Sequence, residues 1–232
     1  MPIPIPETTA RRAGERRVTS VRDAPLERGG QASRNTRTRE AILTAALSLY
    51  AAEGYGAVTM RGIAQRLGFS APAIYNYFLS KEEIFATLQE IGLNLLAETV
   101  LGPESPDPVA DLRSVFVNYY EFSKAQPEYF ALLFVDPAAP RVHYEAEAMV
   151  RMMTATLRRW QRCADAGVFP AGTSDASGLF WAAVHGPAVL RRVQVMSPDT
   201  NFDAQVMVGL DLAIAGIRAG LLPPDAFGRP LA

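Results

Sequence analysis

Between residues 41 and 49, Ala41, Ile42, Ala45, Ala46 and Leu49 recur at three- and four-residue spacing and form one apolar stripe. The pattern predicts a helix capped at Asn35 or Thr36 and ended by Gly54 and Gly56. A second helix is expected from a Thr59 cap to about Leu67, and a third over residues 71–77. Ser80 followed by Glu83 reads as a capping box. It opens a fourth helix from Lys81 to about Val100, with Ile84, Leu88, Ile91 and Leu95 on one face. The stretch from Gly102-Pro103 to Pro108 breaks the pattern. Beyond it, residues 107–124 form a helix apolar at Val109, Leu112, Val115, Phe116, Tyr119 and Tyr120. A short helix opens at Gln126-Pro127 and ends near Asp136-Pro137, and a long one spans 141–166. After a turn between Gly167 and Gly172, helices over 174–196 and 203–220 flank Ser197-Pro198-Asp199. No segment alternates with the period of two that a half-buried strand requires, so the expected class is all-α.

Residues 59–78, TMRGIAQRLGFSAPAIYNYF, add a local geometry to this pattern. Ile63, Leu67, Phe69, Ile74 and Tyr77 supply apolar contacts, and Ala64 is small where two helices press together. Gly68 reaches left-handed backbone angles without steric cost, which suits the exit of the first helix. Ser70 is placed to cap the next helix, and Pro72 falls in its first turn, where a missing N–H costs nothing. Two short helices joined this way make a helix-turn-helix, whose second helix presents its first residues to base edges. Here these are Ser70, Ala71, Pro72, Ala73, Tyr75 and Asn76. Asn76 suits an adenine edge, while alanine and proline offer only apolar contact. Thr59, Arg61, Tyr75, Tyr77 and Lys81 are candidate phosphate partners, with core packing the alternative for Tyr77.

Thr59 to Phe78, followed by Ser80-Lys81-Glu82-Glu83, resembles the DNA-binding signature of the tetracycline-repressor (TetR) family. The approach through Ala41–Ala46 and Tyr50–Gly56 is similar to that family's first helix and its glycine exit, so the likeness covers about residues 36–90. Ala71-Pro72 departs from it, standing where many members carry a lysine-glycine or similar pair. The resemblance implies phosphate-contacting roles for Thr59, Tyr75, Tyr77 and Lys81 and a double-stranded DNA operator as partner. It implies a ligand-responsive regulator, most simply a repressor in the cytoplasm. A regulator without a small-molecule ligand, or an activator, is the alternative.

Charge follows the same division. Of 232 residues, 23 are Lys or Arg and 24 are Asp or Glu, but residues 1–83 carry a net +4 and residues 84–232 a net −5. A basic head on an acidic body suits a DNA reader attached to something that avoids DNA. The expected organisation is a disordered basic arm over 1–33, a helix-turn-helix domain over 34–83 and a connecting helix over 84–102. An effector-binding and dimerisation body covers 103–232. The arm's arginines suit phosphates or a minor groove, or remain a solvated tail. One cysteine, Cys163, fits a reducing compartment, and no secretory or membrane-spanning segment is read.

In the body, Phe180-Trp181-Ala182-Ala183-Val184-His185-Gly186 resembles the Trp-x-x-x-His-Gly signature of one C-terminal subclass of TetR regulators. Trp181 and His185 share a helix face. With Phe116, Tyr120, Phe134, Met153 and Trp160 they are the candidates for lining a site for a small hydrophobic effector, the alternative being an aromatic core. Phe202, Val206, Met207, Leu210, Ile214, Ile217 and Leu221 make the last helix apolar on most sides. It is therefore expected to pair, with the helix over 174–196, against a second copy. His143 and His185 are the only histidines, and no phosphate loop or nucleophile elbow occurs. The chain is expected to be no enzyme, with no cofactor and no metal.

Overall fold

A computed structural model of the chain describes residues 28–142, 146–170, 172–194 and 196–221. It contains α1 (Arg28–Glu53), α2 (Met60–Leu67), α3 (Ala71–Tyr75), α4 (Lys81–Val100) and α5 (Pro108–Ala125). These are followed by α6 (Pro127–Phe134), α7 (Glu147–Asp165), α8 (Ser177–Val193) and α9 (Phe202–Arg218). The described residues contain no strand. No helix is long and apolar enough to cross a membrane.

Helix starts differ most from the sequence expectation at α1 and α7, and α8 begins at Ser177 rather than 174. α1 begins at Arg28, so Asn35 and Thr36 lie inside it rather than at its start, and residues 28–33 of the expected disordered arm are helical. Apolar periodicity reports burial, and the residues of α1 before Thr38 include no large apolar side chain, with Ser33 to Arg37 exposed, so the pattern could not announce these turns. Residues 1–27 of the arm lie outside the described part. α7 begins at Glu147 rather than at 141, and the expected start, with His143, falls on or beside residues 143–145, outside the described part. Asp107 caps α5 by accepting from the N–H groups of Val109 and Ala110 at 2.8 and 3.2 Å, with Pro108 at the first helical position.

Two apolar cores organise the molecule. Ile42, Ala46, Ile63, Ile74, Phe78, Ile84 and Phe85 fill the head between α1, α2, α3 and the start of α4. Phe116, Phe122, Phe130, Trp160, Phe180, Val184 and Leu210 fill the body between α5 and α9. α6 belongs to both: Phe130 and Leu133 are buried in the body core, while Ala131 and Leu132 are buried in the head core. Gly92 of α4 permits this, since a Cβ there would lie 2.8 Å from the Tyr129 ring and 3.3 Å from Leu133. The Gln89 side chain donates to the Pro140 carbonyl at 2.6 Å and ties down the segment after α6. The joint between head and body is therefore made by α4 and α6 together.

α8 and α9 pack side by side, with Gly209 of α9 so close to α8 that a Cβ there would sit 3.3 Å from that of Ala183. α8 runs through Pro187 without ending, although the proline cannot bond the Ala183 carbonyl. The faces of α9 divide sharply. Val206, Leu210, Ala213, Ile214 and Ile217 are buried within the monomer. Met207, Val208, Leu212 and Leu221 are exposed. Leu210 and its neighbours thus belong to the monomer core, and Val208 and Leu212, absent from the sequence expectation, form the outward apolar face.

Candidate nucleic-acid interface and aromatic pocket

Local bonds set the head geometry. Thr59 Oγ1 accepts from the Gly62 N–H at 3.0 Å and caps α2, and Gly62 leaves that oxygen room, since a Cβ would lie 3.2 Å away. α2 ends at Gly68, whose φ of 70° is left-handed, and the Phe69 N–H closes the turn on the Ala64 carbonyl at 2.9 Å. Ile63 and Ala64 are buried against α1 and α3. Ser80 accepts from the Glu83 N–H at 3.2 Å, and the Glu83 carboxylate answers on the Leu79 N–H at 2.6 Å. The capping box thus closes one residue earlier than its usual form.

Ser70 does not cap α3 with its side chain as expected. The two donors a cap oxygen takes are absent: Pro72 has no N–H, and the Ala73 N–H bonds the Ser70 carbonyl at 3.0 Å. Its hydroxyl stays exposed. α3 ends at Tyr75 rather than at residue 77, so Asn76 caps its C-terminus and Tyr77 lies in the turn that follows. The exposed side of this unit carries Thr59, Arg61, Ser70, Pro72, Asn76 and Tyr75, the last at 50% exposure, with Ala71 and Ala73 half-buried between them. Tyr77 packs partly against the head core. Lys81 is held inside the head: its ammonium donates to the Tyr55 carbonyl at 3.1 Å and lies 3.9 Å from the Tyr55 ring centroid. That tether competes with the phosphate contact expected of it. Arg39, unmarked by any sequence pattern, donates to the Tyr77 carbonyl and stacks 4.1 Å from the Phe78 ring centroid. It fixes α1 against the exit of α3.

In the body, three of the seven candidate pocket residues come together. The Trp181 and His185 rings stack with centroids 4.1 Å apart, and His185 Nδ1 shares a 2.8 Å hydrogen bond with the Tyr119 hydroxyl. Phe130 and Phe134 of α6 approach His185 at 5.8 and 6.1 Å between centroids. Tyr119, from α5 and one of the aromatic residues that the sequence offers for the pocket, is thus at the centre of the cluster. Phe116 and Trp160 belong elsewhere, each packed on Phe180 in the body core at 5.2 and 5.1 Å. The Tyr120 hydroxyl turns away to donate to Asp203 at 2.8 Å. Met153 is corrected: it is 53% exposed on the outer face of α7, with Val150 and Leu157 one turn to either side. Among the described residues, a surface hollow of about 410 Å³ lies between α8 and α9 and one of about 310 Å³ between α4 and the start of α7. None of the seven candidates lines either one, because the aromatic side chains fill their own space.

Burial lowers the pKa of His185 from its ordinary value near 6.5 and raises that of the Tyr119 hydroxyl. A histidine with a depressed folded-state pKa takes up its proton more readily when the chain unfolds. Its contribution to stability is therefore complete above about pH 6.5 and is lost as the pH falls below that value. The thermal midpoint should drop more steeply between about pH 7.5 and about pH 5.5 in the native protein than in His185→Gln, which keeps a partner for Tyr119. Parallel pH profiles of the two proteins would contradict this.

Comparison with known proteins agrees with this architecture. The model for bacterial regulatory proteins of the tetR family matches residues 42–88, and a tetracycline repressor-like C-terminal domain matches residues 112–211. The HTH-type transcriptional activator FasR of Mycolicibacterium smegmatis is 29% identical over 150 residues, 64% of this chain and 66% of that protein. The HTH-type transcriptional regulator AcrR of Shigella flexneri is 29% identical over 87 residues, 36% of this chain and 40% of that protein. The chain thus spans less than two thirds of the length of either. The crystal structure of the TetR family transcriptional regulator PfmR from Thermus thermophilus superposes with a TM-score of 0.56 at 21% identity, over 76% of this chain and 98% of that one. These matches are to regulators, not enzymes. With a matching head, a matching body and a capped helix-turn-helix between α2 and α3, the chain belongs to the TetR family of bacterial regulatory proteins.

Proposed function

We propose that the protein acts in the cytoplasm as a homodimeric repressor that binds a double-stranded operator through α3 and is released by a small hydrophobic effector. The observation that carries this reading is the helix-turn-helix with Ser70, Pro72, Tyr75 and Asn76 on its open side. Few strong hydrogen-bonding groups point that way, so apolar contact, groove shape and phosphate anchoring carry much of the specificity. Selection of bound duplexes from a random pool tests it. The expected result is two half-sites separated by about one helical turn, and a pool that never enriches removes the reading. Tyr75→Ala should weaken operator binding by about 1.5–3 kcal/mol per head if the hydroxyl bonds a phosphate. Fluorescence anisotropy at fixed salt reads this, and an unchanged Kd would take Tyr75 out of the interface.

Two heads require two copies. Val208, Leu212 and Leu221 are exposed beside the groove between α8 and α9, which is lined by Leu179, Ala183, Gly209, Leu212 and Gly216. A self-complementary apolar face of this kind suits a two-fold pairing of α8 and α9 with their copies. The effector step rests on α6, whose Phe130 and Phe134 border His185 while Ala131 and Leu132 sit in the head core. A ligand that prised open the cluster of Tyr119, Phe130, Phe134, Trp181 and His185 would move α6, and with it the head. Trp181, His185 and Gly186 support a further part of this proposal, that the body is of the Trp-x-x-x-His-Gly subclass. Release requires the effector to favour the DNA-free arrangement. Operator affinity measured with and without apolar aromatic compounds tests the step, and equal values across the panel would end it.

A second reading is activation. It is favoured by FasR, which is named a transcriptional activator. A reporter with the selected operator upstream of the promoter separates the two: deletion of the regulator raises expression under repression and lowers it under activation.

A further inference from the structure

We infer that the first turns of α1 are a second DNA contact, gripping backbone phosphates outside the half-site read by α3. The inference rests on the operator-binding reading above. The match to the family head begins at residue 42, whereas α1 begins at Arg28, so more than three helical turns precede the shared head. Between Arg28 and Arg39 the chain holds four arginines and no acidic residue. Arg34 and Arg37 are exposed, lie one turn apart, and pair with no carboxylate among the described residues. Every residue from Ser33 to Arg37 is exposed, so this segment covers no part of the core.

The direction of the helix decides what it meets. Arg39 is pinned to the Tyr77 carbonyl and the Phe78 ring, immediately after the recognition helix. The basic segment therefore joins the head beside the exit of α3. From that anchor to Arg28 it rises roughly 16 Å, about the span of five base pairs of duplex. A positive rod leaving the head beside the reading helix suits the phosphate backbone next to the half-site. Contacts of this kind to phosphates position the protein rather than specify a sequence.

The test uses the full chain and two duplexes, the selected operator trimmed to its half-sites and the same operator with about ten base pairs added at each end. In the triple substitution Arg28→Ala, Arg34→Ala, Arg37→Ala, affinity for the extended duplex should fall by about tenfold or more at moderate salt. The slope of log Kd against log salt should drop by up to about five for a dimer, at about 0.9 per lost phosphate contact. On the trimmed duplex the same variant should match the native protein. Replacing the three arginines with lysine should restore the extended-duplex affinity, because a phosphate accepts either cation. Native affinity of the alanine triple for the extended duplex would overturn the inference, and so would an equal loss on both duplexes. Tyr75→Ala is expected to lose affinity on both, which marks the head. If the native protein binds neither duplex, the operator reading itself falls and takes this one with it.

Discussion

Asp111→Ala should destabilise the protein by about 3–5 kcal/mol, a large share of the roughly 5–15 kcal/mol that holds a domain folded. Asp111 is fully buried in the first turn of α5. One of its oxygens accepts from the Ser105 N–H at 2.9 Å. The other accepts from Arg162 and lies 3.3 Å from Arg159 Nε, both on α7. Arg162 also donates to the Ser105 carbonyl at 2.9 Å, and Arg159 to the Gly102 carbonyl at 3.3 Å. One carboxylate thus ties α5, α7 and the segment leaving α4 together. Its removal strands Arg159, itself 5% exposed, as an uncompensated charge, which costs more than the pair contributed when intact. Urea denaturation of the native and variant proteins measures the effect, and a loss below about 1 kcal/mol, the range of an exposed pair, would show that water reaches the site. Asp111→Asn separates charge from shape, since it keeps an acceptor for Ser105 and leaves Arg159 unbalanced, while Arg162 retains Glu104 at 3.6 Å.

Leu212→Arg should convert the proposed dimer to a monomer without unfolding it, and lower operator affinity by a factor of about 100 or more, since the second head is no longer tethered to the first. Leu212 is 68% exposed on α9 and borders the α8–α9 groove, so the isolated chain loses nothing by the change. A second copy would have to bury the guanidinium in an apolar interface. Light scattering reads the mass and circular dichroism the helix content. A variant that remains dimeric places the interface elsewhere. Leu210→Arg supplies the contrast: that residue has 0% exposure, so the substitution should unfold the monomer instead. Two leucines only two positions apart in one helix are expected to fail in different ways.

The helix-turn-helix was legible because its determinants are local. Thr59 bonds the backbone three residues on, Gly68 needs only its own φ, and Ser80 and Glu83 sit within one turn of each other. The expected Ser70 cap fails for an equally local reason, the missing N–H of Pro72 and the prior claim on that of Ala73. The aromatic cluster was only half legible. Trp181 and His185 stack because four residues separate them, whereas the partner that organises them, Tyr119, stands 66 positions away from His185.

Sequence alone determined the class of fold, most helix ends and the character of the reading head. Caps, glycine turns and apolar periodicity act through bonds spanning three or four residues, and those bonds are written in consecutive letters. The tertiary structure decided which apolar residues of α9 face out, that α6 divides its side chains between two cores, and that Asp111 meets an arginine 51 positions away. It also decided that Lys81 and Arg39 brace the head from within. A helix with apolar residues on most sides carries no mark of which side its own chain will cover. That depends on where the other helices pack, and only the assembled fold assigns it.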